Sequence, residues 1–244
     1  MNWYGRAINL PRQFLSDEPN SVGGGCLAGS ASECILIAMM AARFRAIKVL
    51  RGDDVNHHAS YYLPRLVAYT SSEAHSCVEK AALMSIVNLR LIKTNSKAEF
   101  CYETLRKTIA EDKANNLVPF YVVGTVGTTG VCSFDNLEEI GKICKEDPLI
   151  WYHVDGAYAG NSFLLPEMRK YSKGLDYADS FNTNPNKFLL THFDASAMWV
   201  RSVAELTEAL TVHPIYLQHP EKDAIDYRHY GIPLSRRFRS LKLW

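Results

Sequence analysis

The chain has 244 residues, 47% hydrophobic and 22% charged, a composition that excludes a disordered segment and suits one large globular domain. Its 27 basic and 26 acidic side chains leave a formal charge of +1, which gives no electrostatic footprint for nucleic acid or an anionic membrane. No apolar run approaches the ~18 residues of a membrane span, the first six residues lack a signal-peptide core, and the scattered Cys26, Cys34, Cys77, Cys101, Cys132 and Cys144 fit a reducing cytoplasm.

In chain order, Gly23-Gly24-Gly25 reads as a flexible loop. Ser30, followed three positions later by Glu33, is a capping-box signature, so a long buried helix is expected from there to about residue 49. The polar run 51–61, with Asp53, Asp54, His57 and His58, has no periodicity and reads as a surface loop with a solvated histidine pair. A short strand follows at 66–69. Strand-like runs at 89–92, 120–125, 150–155 and 197–200 then alternate with helix-like runs at 75–87, 102–114 and 136–144, and a further helix-like run spans 203–210. This alternation signals a parallel sheet with helices on its faces. In such sheets ligands gather at the carboxyl ends of the strands, where Thr128-Thr129, Asp155 and the approach to Lys187 all fall. No GxGxxG follows a strand, which removes a dinucleotide-binding domain from consideration.

The residues that carry chemistry are few. Lys187, in Asn182-Thr183-Asn184-Pro185-Asn186-Lys187, lies 32 positions after Asp155. Pyridoxal phosphate chemistry needs a lysine amine to hold the cofactor aldehyde and an aspartate to keep the pyridine nitrogen protonated, and this pair supplies both. Singly, each has an ordinary reading as a snorkelling lysine or a turn aspartate. Ser30-Ala31-Ser32 offers helix-start amides and two hydroxyls to a phosphate, and would equally make a plain N-cap. His75 is placed to lie over a ring face or to act on a substrate carboxylate. Thr129, in Gly127-Thr128-Thr129-Gly130, either presents a hydroxyl to the ring's polar substituents or serves a turn. Tyr216, in a proline-containing loop, is either an acid on a closing segment or a packing anchor.

Seven runs occur in fixed order: Gly-Ser-Ala-Ser-Glu (29–33), Ala-His-Ser-Cys-Val-Glu-Lys-Ala (74–81), Gly-Thr-Thr-Gly (127–130), Cys-Ser-Phe-Asp-Asn-Leu (132–137), His-Val-Asp-Gly-Ala-Tyr-Ala-Gly (153–160), Asn-Pro-Asn-Lys (184–187) and Arg-Arg-Phe-Arg-Ser-Leu-Lys (236–242). Together they resemble the group II pyridoxal phosphate-dependent aromatic L-amino acid decarboxylases. The fold implied is α/β, a mostly parallel sheet flanked by helices, the large domain of the fold-type I (aspartate aminotransferase-like) enzymes. Residues 159–163, 177–187 and 233–237 look most like insect-type tyrosine decarboxylases. Dopa decarboxylases typically carry His where this chain has Asn186 and Gly where it has Ser235, whereas histidine decarboxylases also carry serine there.

The resemblance implies decarboxylation of an aromatic L-amino acid, tyrosine to tyramine first, with dopa or histidine as alternatives. A non-catalytic remnant keeping only the cofactor-domain fold is the rival reading. By the same resemblance the cofactor is pyridoxal 5'-phosphate: Lys187 holds it, Asp155 pairs with its ring nitrogen, and Ala31, Ser32 and Asn184 contact the phosphate. Thr129, Ala157 and Asn186 complete the cofactor contacts, His75 stacks on the ring and with Ser235 faces the substrate, and Tyr216 returns a proton to the product. Related aldehyde synthases carry asparagine at the position of His75 or phenylalanine at that of Tyr216, so retention of both implies amine release. Also implied are an amino acid as the small-molecule partner, no nucleic-acid or membrane partner, a homodimer and a cytoplasmic location. Family members carry an amino-terminal helical segment and a carboxyl-terminal small domain around the matching span, so 1–244 is expected to be the large domain alone. Gly156, Phe188 and Tyr230 depart from the usual alanine, tryptophan and tryptophan.

Overall fold

The computed structural model describes residues 1–212 and 225–244; Tyr216 lies outside the described residues. Among the described residues seven strands, β1 (Gly24–Ala28), β2 (Leu66–Ser71), β3 (Asn88–Ile92), β4 (Val118–Thr125), β5 (Trp151–Asp155), β6 (Ser180–Thr183) and β7 (Ser196–Val200), form one sheet in the order β1-β7-β6-β5-β4-β2-β3. The pairs from β6 through β3 are parallel, and β7 runs antiparallel to both β6 and β1. The expected α/β class with a mostly parallel sheet is therefore what the chain adopts. Every residue of β2, β4, β5, β6 and β7 is buried, as central strands covered on both faces require.

The helices are α1 (Asn2–Ala7), α2 (Ala31–Arg51), α3 (Cys77–Ser85), α4 (Tyr102–Ala114), α5 (Leu137–Lys145), α6 (Pro185–Phe188) and α7 (Val203–Glu208). Two cores result. One packs α2, α3 and Leu206 of α7 against the face carrying Tyr121 and Trp151; the other packs α1, α4 and α5 against the face carrying Tyr152, Val154 and Phe181. Helix α2 is the largest single contributor to the first, burying Ile35, Ile37 and Met39 completely, and each such side chain stabilises by roughly 1.5–3 kcal/mol. Its start is the expected capping box: Ser30 Oγ accepts from the Glu33 N–H at 3.2 Å, while Glu33 Oε2 accepts from the Gly29 N–H at 2.7 Å, one residue further back than the usual reciprocal bond. Asn136 caps α5 in the same way, accepting from the Glu139 N–H at 3.2 Å.

Three expectations need correction. Gly24 and Gly25 are not a flexible loop but the first residues of β1, paired with Val200 and Trp199. Their lack of a side chain serves close packing: a Cβ on Gly25 would sit 2.4 Å from the Met198 carbonyl oxygen, and one on Gly23 only 1.9 Å from that of Gln13. The helix expected from residue 75 starts at Cys77, because His75 belongs to the turn before it and accepts the Cys77 N–H on Nδ1 at 3.1 Å. Finally, His57 is not simply solvated: its Nδ1 lies 2.7 Å from Asp54 Oδ2, and its ring stacks on Tyr61 at 4.0 Å.

Candidate active site

The parallel strands deliver their carboxyl ends to one cleft. Asp155 is the last residue of β5, Thr125 the last of β4, and Lys187 sits in α6, which begins two residues after β6 ends. The amino end of α2 closes the opposite wall. The cleft is lined by Ser30, Ala31, Ser32, His75, Thr129, Asp155, Ala157, Asn184 and Lys187, with Cys77, Thr125, Gly127 and Tyr158 beside them. Eight of the expected cofactor residues thus converge from five separate stretches of chain. Asn186 lies next to Lys187 without lining the cleft, and Ser235 is exposed and lines it neither.

The orientation of each polar group follows from what occupies its other atoms. Asp155, 4% exposed, accepts on Oδ1 from the Ala157 N–H at 2.9 Å and from Asn182 Nδ2 at 3.2 Å, which leaves Oδ2 for a further donor. Asn184 accepts on Oδ1 from the Ser196 hydroxyl at 2.6 Å, so its Nδ2 hydrogens are the part available to a ligand. The Asn184 backbone is fixed as well, its carbonyl accepting from Asn161 Nδ2 at 2.9 Å, and Asn161 in turn accepts from the Tyr4 hydroxyl. At α2 the first helical bond is Cys34 N–H to Ser30 O, so the amides of Ala31 and Ser32 stand ahead of the ladder at the positive end of a 21-residue helix. His75 uses Nδ1 to accept the Cys77 amide, which puts the proton of the neutral ring on Nε2 at the exposed rim.

The far wall is the turn from Val126 to Ser133. Gly127 has φ +80°, and a Cβ there would come within 2.6 Å of Ala159 Cβ, so glycine is required on both counts. The turn closes through Thr128, whose Oγ1 lies 2.8 Å from Ser133 Oγ, and this leaves Thr129 facing outward into the cleft. Beneath it Asp135, 4% exposed, accepts the Phe100 N–H at 2.8 Å and the Thr125 N–H at 2.7 Å; burial nevertheless pushes its carboxyl up to about 6. Cys77 is buried in the cleft wall, and burial raises its thiol to about 12, which favours the protonated form.

Sequence reasoning did not single out Thr125, Cys77 or Tyr158. Thr125 was visible only as the last residue of a strand-like run. It is nonetheless the member with the plainest structural signal, a buried Oγ1 that lines the cleft with no hydrogen-bond partner among the described residues. The side-chain amide of Asn186 is buried and equally without a partner there. An orphaned hydroxyl in the cleft, beside an amine, a buried carboxylate and a helix amino end, fits a flat polar ring carrying an anionic group.

The comparisons agree with that fit. The family model described as the pyridoxal-dependent decarboxylase conserved domain matches residues 1–244. Histidine decarboxylase of Mus musculus is 47% identical over 245 residues, covering 100% of this chain and 37% of the relative. Aromatic-L-amino-acid decarboxylase of Rattus norvegicus is 46% identical over 247 residues, covering 100% and 51%. Among solved structures, Oryza sativa TDC with PLP and tryptamine superposes with a TM-score of 0.92 at 32% identity, covering 99% of this chain and 49% of that one. The Rhodiola rosea 4-hydroxyphenylacetaldehyde synthase gives 0.87 at 34% identity, covering 100% and 48%. The chain spans about half or less of the length of these relatives.

Proposed function

This chain belongs to the pyridoxal-dependent decarboxylase family, and on that premise we propose that it carries the cofactor-binding part of an enzyme that removes carbon dioxide from an aromatic L-amino acid, tyrosine to tyramine. The observation that carries the reading is the opening of Lys187, Asp155 and the amino end of α2 onto one cleft. A histidine substrate is the second reading, supported by the near-equal identity of the chain to histidine and to aromatic amino acid decarboxylases.

Pyridoxal phosphate, when bound, supplies an electron-accepting ring conjugated to the bond that breaks. The chain's own residues hold and orient it. Lys187 Nζ is the point of covalent attachment. Asp155 Oδ2 holds the proton at the pyridine nitrogen, since Oδ1 is taken. The Ala31 and Ser32 amides and the Asn184 amide hydrogens receive the phosphate, a donor set that needs no lysine or arginine. His75, at the rim with Nε2–H outward, covers the ring and holds the substrate carboxylate. Tyr216 is the proposed donor of the proton that replaces the carboxylate on carbon. The assembled enzyme is proposed to be a cytoplasmic homodimer, and Ser235 is proposed to face the substrate.

The test is incubation with pyridoxal phosphate, borohydride reduction and peptide mapping. Label on Lys187, lost in Lys187→Ala while the fold persists, is the expected result; label elsewhere, or label surviving in Lys187→Ala, refutes the reading. Comparing kcat/KM for tyrosine, dopa and histidine then decides the substrate.

A further inference from the structure

The Asn182–Asp155 bond is the end of a longer polar string in the core. Because side chains alternate along a strand, Trp151, His153 and Asp155 of β5 share a face, and the parallel register sets Ser180 opposite His153 and Asn182 opposite Asp155. All five side chains are buried, with His153, Ser180 and Asn182 at 0% exposure. Trp151 Nε1 lies 2.7 Å from Ser180 Oγ, Ser180 Oγ 2.7 Å from His153 Nδ1, His153 Nε2 2.8 Å from Asn182 Oδ1, and Asn182 Nδ2 3.2 Å from Asp155 Oδ1. Tyr121 lies against the imidazole, with centroids 6.2 Å apart.

Only one arrangement of protons suits every member. Indole nitrogen donates and never accepts, so Ser180 receives its N–H and is left with its own O–H to give to His153 Nδ1. The imidazole then carries its proton on Nε2 and donates to Asn182 Oδ1, which turns the Asn182 amide hydrogens toward the carboxylate. A flipped Asn182 would set its oxygen against Asp155 and its hydrogens against the Nε2 proton. A doubly protonated His153 would force the Ser180 hydroxyl to find another acceptor, and burial opposes it: desolvation holds the imidazole well below its usual range, against a weaker pull upward from Asp155.

We propose that Trp151, Ser180, His153 and Asn182 form a one-way donor chain that positions Asp155, filling Oδ1 from within the sheet so that Oδ2 alone meets the cofactor. His153 and Asn182 are thereby positioning residues, and the inference rests on the reading of Asp155 as the partner of the ring nitrogen.

The chain is decided first without cofactor, by nitrogen NMR of protein labelled with ¹⁵N-histidine and assigned with a His153 variant. Neutral His153 protonated on Nε2 across the neutral pH range is expected; an Nδ1-protonated or doubly protonated ring overturns the proposal. Its purpose is decided by the dissociation constant of pyridoxal phosphate. His153→Leu, which removes the Nε2 donor, is expected to weaken binding tenfold or more, about 1.4 kcal/mol. His153→Gln, which restores an N–H near that position, is expected to stay within threefold of the parent. Ser180→Ala removes one oxygen and adds no bulk, so it tests the chain even where the leucine variant fails to fold; it is expected to blur the Nε2 preference. Equal affinity in all variants, or equal loss in the leucine and glutamine variants, overturns the positioning role. Failure of borohydride to label Lys187 in the parent would instead remove the functional reading and leave the tautomer result to judge the chain.

Discussion

Replacing Asp135 by asparagine should change how stability responds to pH, with a sign opposite to ordinary acid denaturation. Two backbone N–H donors at 2.7 and 2.8 Å favour the ionised carboxylate, but burial outweighs them and raises the carboxyl from 3.8 to about 6. Between those values the folded chain binds more protons at this site than the unfolded chain does, so the contribution is fully present below pH 3.8 and is lost as pH rises through 6. The shift corresponds to about 3 kcal/mol, of which about 2 kcal/mol falls between pH 4.5 and 7. Asparagine does not titrate, and every other ionisable group is common to both proteins, so the difference in unfolding free energy isolates Asp135. Urea unfolding of the parent and Asp135→Asn at pH 4.5, 5.5, 6.5 and 7.5 should show the parent losing about 2 kcal/mol relative to the variant, or roughly 4–8 °C in Tm for a chain of this size. Parallel curves, or a parent that gains on the variant as pH rises, would refute the claim that desolvation dominates the two hydrogen bonds.

Other substitutions probe the sheet and the site. Gly25→Ala, which sets a methyl group 2.4 Å from the Met198 carbonyl in the neighbouring strand, should cost about 1–3 kcal/mol in chemical denaturation, and an unchanged midpoint would mean that β1 is free to shift. Ser196→Ala removes the 2.6 Å bond that fixes Asn184 Oδ1 and should weaken pyridoxal phosphate binding by about 1 kcal/mol, roughly fivefold, by calorimetry; an affinity equal to the parent's would detach Asn184 from the phosphate. His75→Asn should divert product from amine toward aldehyde in an assay that follows both together with peroxide. Undiminished amine yield without peroxide would remove His75 from control of the outcome.

Legibility in the sequence followed physical cause. Helix α4 could be read to its end residues and α2 nearly so, because an apolar stripe and a capping box are local signals. The carboxyl ends of β4 and β5 were equally readable, and with them the position of Asp155. Strand β6 was not: Ser180 and Asn182 look like loop residues until their partners in β5 are known, because their burial is compensated by hydrogen bonds across strands. Strand β1 failed for the converse reason, since glycine signals either freedom or crowding and only the neighbouring strand distinguishes them. Thr125 could not be ranked at all, because an orphaned hydroxyl is a property of space and not of spacing.

The parallel pairing of Asp155 with Asn182, five residues before Lys187, ties the two proposed anchors of the cofactor to the register of a single strand pair. A slip of one residue would turn the β6 residues that meet Asp155 to the other side of the sheet. Free cofactor should therefore act as a folding ligand, rewarding the correctly registered sheet and ignoring slipped ones. At a hundredfold excess over its dissociation constant, that selection is worth about 2.7 kcal/mol, so added pyridoxal phosphate should raise the yield of native protein on refolding by mass action.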